Sequence, residues 1–64
     1  SVTEEDILKA ARKVSDPAFG NVEVANSLPI GPERTRTKLN QLVDKGILAS
    51  KRIGNANVYW FRGY

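Results

Sequence analysis

Arg36 and Asn40 stand four residues apart between Pro32 and Asp44, a spacing that puts a guanidinium and an amide on one side of a helix. Glu33 and Thr37 extend the same stripe, and Arg34 and Gln41 flank it. Side chains of these types read the edges of bases. Arg34 and Arg36 offer a planar fork for guanine O6 and N7 or for a pair of phosphate oxygens, while Asn40 and Gln41 have the amide geometry for adenine. Thr37 can meet a thymine methyl or donate to phosphate, and Glu33 can accept from cytosine N4 or support the start of its own helix. A second polar set, Lys51, Arg52, Asn55 and Asn57, follows on a short hairpin and could neutralise phosphates. Alternation along a strand puts Lys51 and Arg52 on opposite faces, so one of the two is expected to serve. Trp60 points away from Tyr59 and Phe61, and is a candidate for base stacking or a subunit contact as well as for covering the first helix.

The charge is as uneven as the motifs. From residue 34 onward seven cations face the single carboxylate of Asp44, a balance of 7 − 1 = +6; the first 33 residues carry three cations and six acids, 3 − 6 = −3. A basic helix and hairpin on a mildly acidic support suit a polyanion. The chain has 64 residues with no cysteine and no histidine. These absences remove disulfides, thiol nucleophiles, zinc-finger ligand sets and the usual neutral-pH acid/base residue. Glu4, Glu5 and Asp6 form the densest acid cluster, but a helix N-terminus accounts for them and no base or metal ligand accompanies them. The chemistry therefore reads as binding without catalysis, cofactor or metal. With no long apolar run, neither membrane anchoring nor a signal peptide is expected, and the reading is of a cytoplasmic, nucleoid-associated protein or a piece of one.

The elements that must position these residues can be read from capping and periodicity. Thr3 and Asp6 have capping-box spacing, and Ile7, Leu8, Ala11 and Val14 form one apolar face, so a first helix spans about 4–14, stopped by Ser15-Asp16-Pro17. Gly20 and Asn21 can cap a second helix over about 21–28 with Val22, Ala25 and Leu28 inward. Pro29-Ile30-Gly31 makes a turn, and Pro32 suits the first position of a third helix, about 32–45, whose inward face is Thr35, Leu39, Leu42 and Val43. Lys45-Gly46 ends it. Two strands within 48–61 then flank Gly54-Asn55, a pair suited to a type II′ hairpin or, with Ala56 and Asn57, to a slightly longer one. The expected fold is α+β, a single domain of three helices followed by a two-stranded hairpin.

Ala25 and Leu28 in the second helix, Ile30 in the turn, Leu39 and Leu42 in the third helix, and Gly46-Ile47-Leu48 leading to a hairpin that closes with Tyr59 and Phe61 are together similar to a winged helix-turn-helix domain of the MarR-like and related bacterial and archaeal regulators. The resemblance covers about Glu5 to Phe61. It implies that the third helix enters the major groove of double-stranded DNA, that the hairpin is a wing on the flanking backbone, and that the protein regulates transcription. The sequence departs from the family in having prolines on both sides of Ile30-Gly31 and a wing tip rich in Asn where Arg is common. Winged helices also serve as interaction modules, so a protein-protein or dimerisation module is the alternative, with a homodimer or a larger parent protein as partner. Nonspecific or Z-form nucleic acid binding is a further one, the latter from the wing tryptophan alone.

Overall fold

A computed structural model describes residues 2–14 and 18–62. The elements run α1 (Glu4–Lys13), β1 (Ala18–Gly20), α2 (Asn21–Ala25), α3 (Pro32–Asp44), β2 (Leu48–Ile53) and β3 (Ala56–Phe61). The fold is α+β, with three helices and one antiparallel sheet of three strands in the order β1-β3-β2. The expected two-stranded hairpin is thus joined by a third strand: Phe19 lies opposite Tyr59, with Ala18 opposite Trp60 and Gly20 opposite Val58. The physical reason lies in β3, whose run Val58-Tyr59-Trp60-Phe61 is apolar on both faces, as suits a central strand with a neighbour on each side. The expected stop at Ser15-Asp16-Pro17 lies outside the described residues.

α1 begins with the anticipated capping box. The Asp6 N–H donates to Thr3 Oγ1 (3.2 Å), and the Thr3 N–H donates to Asp6 Oδ2 (3.0 Å), so two otherwise orphaned donors are satisfied. α2 is shorter than expected, ending at Ala25 rather than near residue 28. The chain tightens there through Ser27 N–H to Val24 O and Leu28 N–H to Ala25 O, and Pro29 disfavours helical geometry in the residue before it. Ala25 is buried as expected, but its inward companion in α2 is Val24, fully buried, while Val22 is 55% exposed. In a helix of five residues the two ends set the phase. Here the start is held by Gly20 N–H donating to Glu23 Oε1 (2.9 Å) and by Asn21 Nδ2 donating to the carbonyl of Pro32 (3.1 Å).

α3 follows its predicted phase. Thr35, Leu39 and Leu42 are fully buried, Pro32 sits in the first turn, and the buried Thr35 hydroxyl is satisfied by donating to Gly31 O (3.0 Å). At the other end Gly46 takes φ +80°, with Gly46 N–H on Val43 O and Ile47 N–H on Leu42 O. This is the Schellman arrangement, which needs a residue tolerant of positive φ. Gly54 has φ +61° whereas Asn55 is not in the positive region, the φ pattern of the type II′ turn. One core joins all six elements: Ile7, Ala10 and Ala11 from α1, Phe19, Val24, Leu39, Leu42, Leu48 and Tyr59. Phe19 stacks on Tyr59 (centroids 6.4 Å apart) and tilts against Phe61 (5.9 Å), and the Arg12 guanidinium lies 5.6 Å from the Phe61 ring centroid. No helix among the described residues is long and apolar enough to cross a membrane.

Candidate nucleic-acid interface

Cross-strand partners share a face of a sheet, so the pairing register sorts the hairpin side chains. Leu48, Ser50 and Arg52 of β2 pair with Phe61, Tyr59 and Asn57 of β3, and because Tyr59 is buried in the core this is the face turned toward the helices. Ala49, Lys51 and Ile53 pair with Trp60, Val58 and Ala56 on the outer face. The two cations are thereby placed on opposite faces, as alternation predicts: Arg52 lies on the helix side, beyond Tyr59 toward the turn, and Lys51 on the opposite side with Trp60. Arg52 Nε donates to Gly54 O (3.2 Å), which folds its stem along the turn; its terminal guanidinium nitrogens make no hydrogen bond among the described residues. Asn55 is exposed at the tip of the turn.

Helix and hairpin are joined by one polar contact. The Tyr59 hydroxyl donates to Asn40 Oδ1 (2.8 Å). Burial pushes the phenol above its ordinary value of 10.0, against the opposing pulls of the Asn57 amide and the Arg36 charge. The Tyr59 hydroxyl is thus bonded to Asn40, and the Asn57 amide and the Arg36 charge both act on it. One acceptor site of Asn40 is already occupied, and its Nδ2 makes no hydrogen bond among the described residues. This changes the expected chemistry of Asn40: beyond the adenine pairing anticipated for a free amide, it presents unused donors suited to guanine O6, guanine N7 or phosphate.

Glu33 is tied to the same cluster. Its Oε2 accepts from Arg36 at 2.7 Å, the carboxylate side being 81% exposed and the arginine 44%. An exposed pair of this kind contributes little stability, yet it occupies part of the guanidinium's donor fork. The Thr37 hydroxyl donates to the Glu33 carbonyl (3.2 Å), leaving it as an acceptor only. On the other flank of α3, turned toward α1, stand Arg34, Lys38, Gln41 and Lys45, spaced three and four residues apart. Lys45 pairs with Glu4 of α1, fixing that orientation. The six expected helix residues are accordingly split. Glu33, Arg36, Thr37 and Asn40 form the outer and sheet-side group, while Arg34 and Gln41 lie toward α1.

Trp60 is half-buried on the outer face, between Ala18 and Ala49, and so is not part of the Arg36–Asn40–Asn57 group. From the sequence Tyr59 is expected only to close the hairpin and has no polar role, whereas in the fold its hydroxyl meets Asn40. Its signal was its spacing two residues beyond Asn57, which puts phenol and amide on one strand face. Among the described residues no three His, Cys, Asp or Glu side chains gather as a metal site. Comparison of the chain with protein-family models, curated proteins and solved structures finds no match.

Proposed function

We propose that the chain is a winged helix-turn-helix domain that binds double-stranded DNA, with α3 as the reading helix and the β2–β3 hairpin as the wing. The observation that carries this reading is the Tyr59–Asn40 bond, which ties the exposed polar edge of α3 to the strand face bearing Asn57 and Arg52. The amide of Asn40 and the guanidinium of Arg36 are then held beside wing donors on one side of the molecule, as a helix in the major groove with a wing on the flanking backbone requires. The balance of +6 from residue 34 onward supplies the long-range attraction. Regulation of transcription is the use such a reader would serve.

The deciding experiment is a duplex titration over a range of salt. Arg34, Arg36, Lys38 and Arg52 together would release about four counterions, and log K should fall with log salt at a slope of roughly −3.5. A slope near zero removes the reading. The outer sheet face favours a second use, as a contact for a protein partner or a second copy. Ile53 is 59% exposed and shares that face with Ala49, Ala56, Val58 and Trp60. An apolar contact of that kind would persist at high salt, where DNA binding would be lost.

A further inference from the structure

A groove of about 550 Å³ runs between α1 and the turn that joins α2 to α3, on the flank of α3 away from the hairpin. Ala10, Leu28 and Ile30 contribute apolar surface, and Lys9, Lys13 and Arg34 contribute three cations from two different helices. Lys9 and Lys13 are one turn apart on α1 and so share a side. None of the three takes part in an ion pair among the described residues. The one acid in the lining, Asp6, is engaged by the Thr3 N–H at 3.0 Å, and the lining charge is 3 − 1 = +2.

We propose that this groove binds a carboxylate carried on a compact apolar body, either a free organic acid or the C-terminal end of an apolar peptide. Its volume falls in the range of sites that enclose small ligands, and a duplex is far too wide to enter it. Burying apolar surface on Leu28 and Ile30 supplies the non-directional part of the affinity, while the cations select the sign of the head group. A bare inorganic anion would leave the apolar surface unused, and a cationic amphiphile would meet three like charges. Arg34 is also one of the four cations counted toward DNA contact, but no residue on the sheet side of α3 takes part, and carboxylate binding measured without nucleic acid stands or falls separately from DNA binding.

The test is a titration of the full chain, without nucleic acid, followed by amide chemical shifts. The probes are octanoate, octylammonium, acetate and N-acetyl-Leu-Leu at neutral pH. Octanoate or the peptide should move the amides of Ala10, Leu28 and Ile30 saturably; the tighter of the two identifies the source of the carboxylate. Octylammonium and acetate should bind at least about tenfold more weakly, and the exposed double substitution Lys13→Glu with Arg34→Glu should weaken octanoate by about tenfold with the spectrum's dispersion retained. The proposal is overturned if octylammonium shifts the same amides equally well. It is equally overturned if neither carboxylate binds, or if the double substitution leaves octanoate affinity unchanged.

Discussion

The two flanks of α3 carry similar side chains under different constraint. Toward the sheet, Arg36 makes an exposed pair with Glu33 and Asn40 is bonded to the buried Tyr59, so the Asn40 amide above all is held in place. Toward α1, Arg34 and Lys38 form no ion pair among the described residues. A long cation without a partner keeps its rotamer freedom and meets phosphate or any anion as a mobile charge, whereas a pre-positioned head loses less entropy on binding and can discriminate geometry. Under the proposed DNA reading, the sheet flank would supply specificity and the α1 flank general attraction.

The largest effect should come from the residue that joins the sheet flank to the core. Tyr59→Ala removes a fully buried aromatic side chain and should cost about 3–5 kcal/mol, which a domain of this size is not expected to survive. Tyr59→Phe keeps the ring and loses only the hydroxyl, for about 0.5–1.5 kcal/mol. Asn40→Ala removes the acceptor from the same bond and should cost about 1 kcal/mol. Arg34→Ala and Gln41→Ala, on the α1 flank, should stay within about 0.5 kcal/mol. Thermal or urea melts of the five variants check the ranking, and an Asn40→Ala protein as stable as the parent would remove the distinction between the flanks.

Binding should divide the same way. Arg36→Ala is expected to cost about 1–3 kcal/mol on a preferred duplex and to relax preference there, while Arg34→Ala and Arg52→Ala should weaken all duplexes alike and flatten the salt slope by about one unit each. Competition with a duplex library separates the outcomes. If all three act uniformly, α3 is a phosphate clamp on both flanks and the domain is an architectural binder. Glu33→Gln should act in the opposite direction and more weakly, tightening DNA by roughly 0.5 kcal/mol, because it releases Arg36 from an exposed pair and removes a charge that repels phosphate. Weaker binding by Glu33→Gln would instead make the pair a device that orients Arg36 toward the groove.

What could be read from the chain beforehand follows the range of the interactions involved. Capping at Thr3, the phase of α3 through Thr35, Leu39 and Leu42, the stop at Gly46 and the turn at Gly54 are decided within a few residues of themselves, and each was legible. β1 was not, since three residues carry no periodicity and Phe19 becomes a strand residue only by pairing with Tyr59, 40 positions away. The continuous apolar run of β3 was the available sign that a third strand existed. Val22 and Val24 exchanged roles because the ends of α2 orient it. In the candidate site the residue types and the shared face of Arg36 and Asn40 were legible. The anchoring of Asn40 by Tyr59 was not, because it depends on how the sheet docks against α3.

Each flank also carries one titrating group, and the two act at opposite ends of the pH range. On the α1 side, the Asp6 carboxyl lies below its ordinary 3.8, chiefly because the Thr3 backbone N–H and then the Thr3 side chain bond to it. A group whose pKa is lower in the folded state binds fewer protons there than in the unfolded chain, so its contribution is present above 3.8 and disappears as the pH falls through the lowered value. On the sheet side the Tyr59 phenol lies above 10.0, mainly through burial. Its sign is reversed, because the folded state holds the proton more tightly. Stability is unaffected below 10.0 and is lost as the pH rises toward the raised value and the phenolate must form in the core. Melting temperature should therefore fall below about pH 4 and again above about pH 10, with a different group contributing to each limb. Asp6→Asn should make the first shallower and leave the second, while Tyr59→Phe should do the converse. An alkaline limb unchanged in Tyr59→Phe would mean that groups other than the buried phenol carry it, and the pH contrast between the two flanks would be lost.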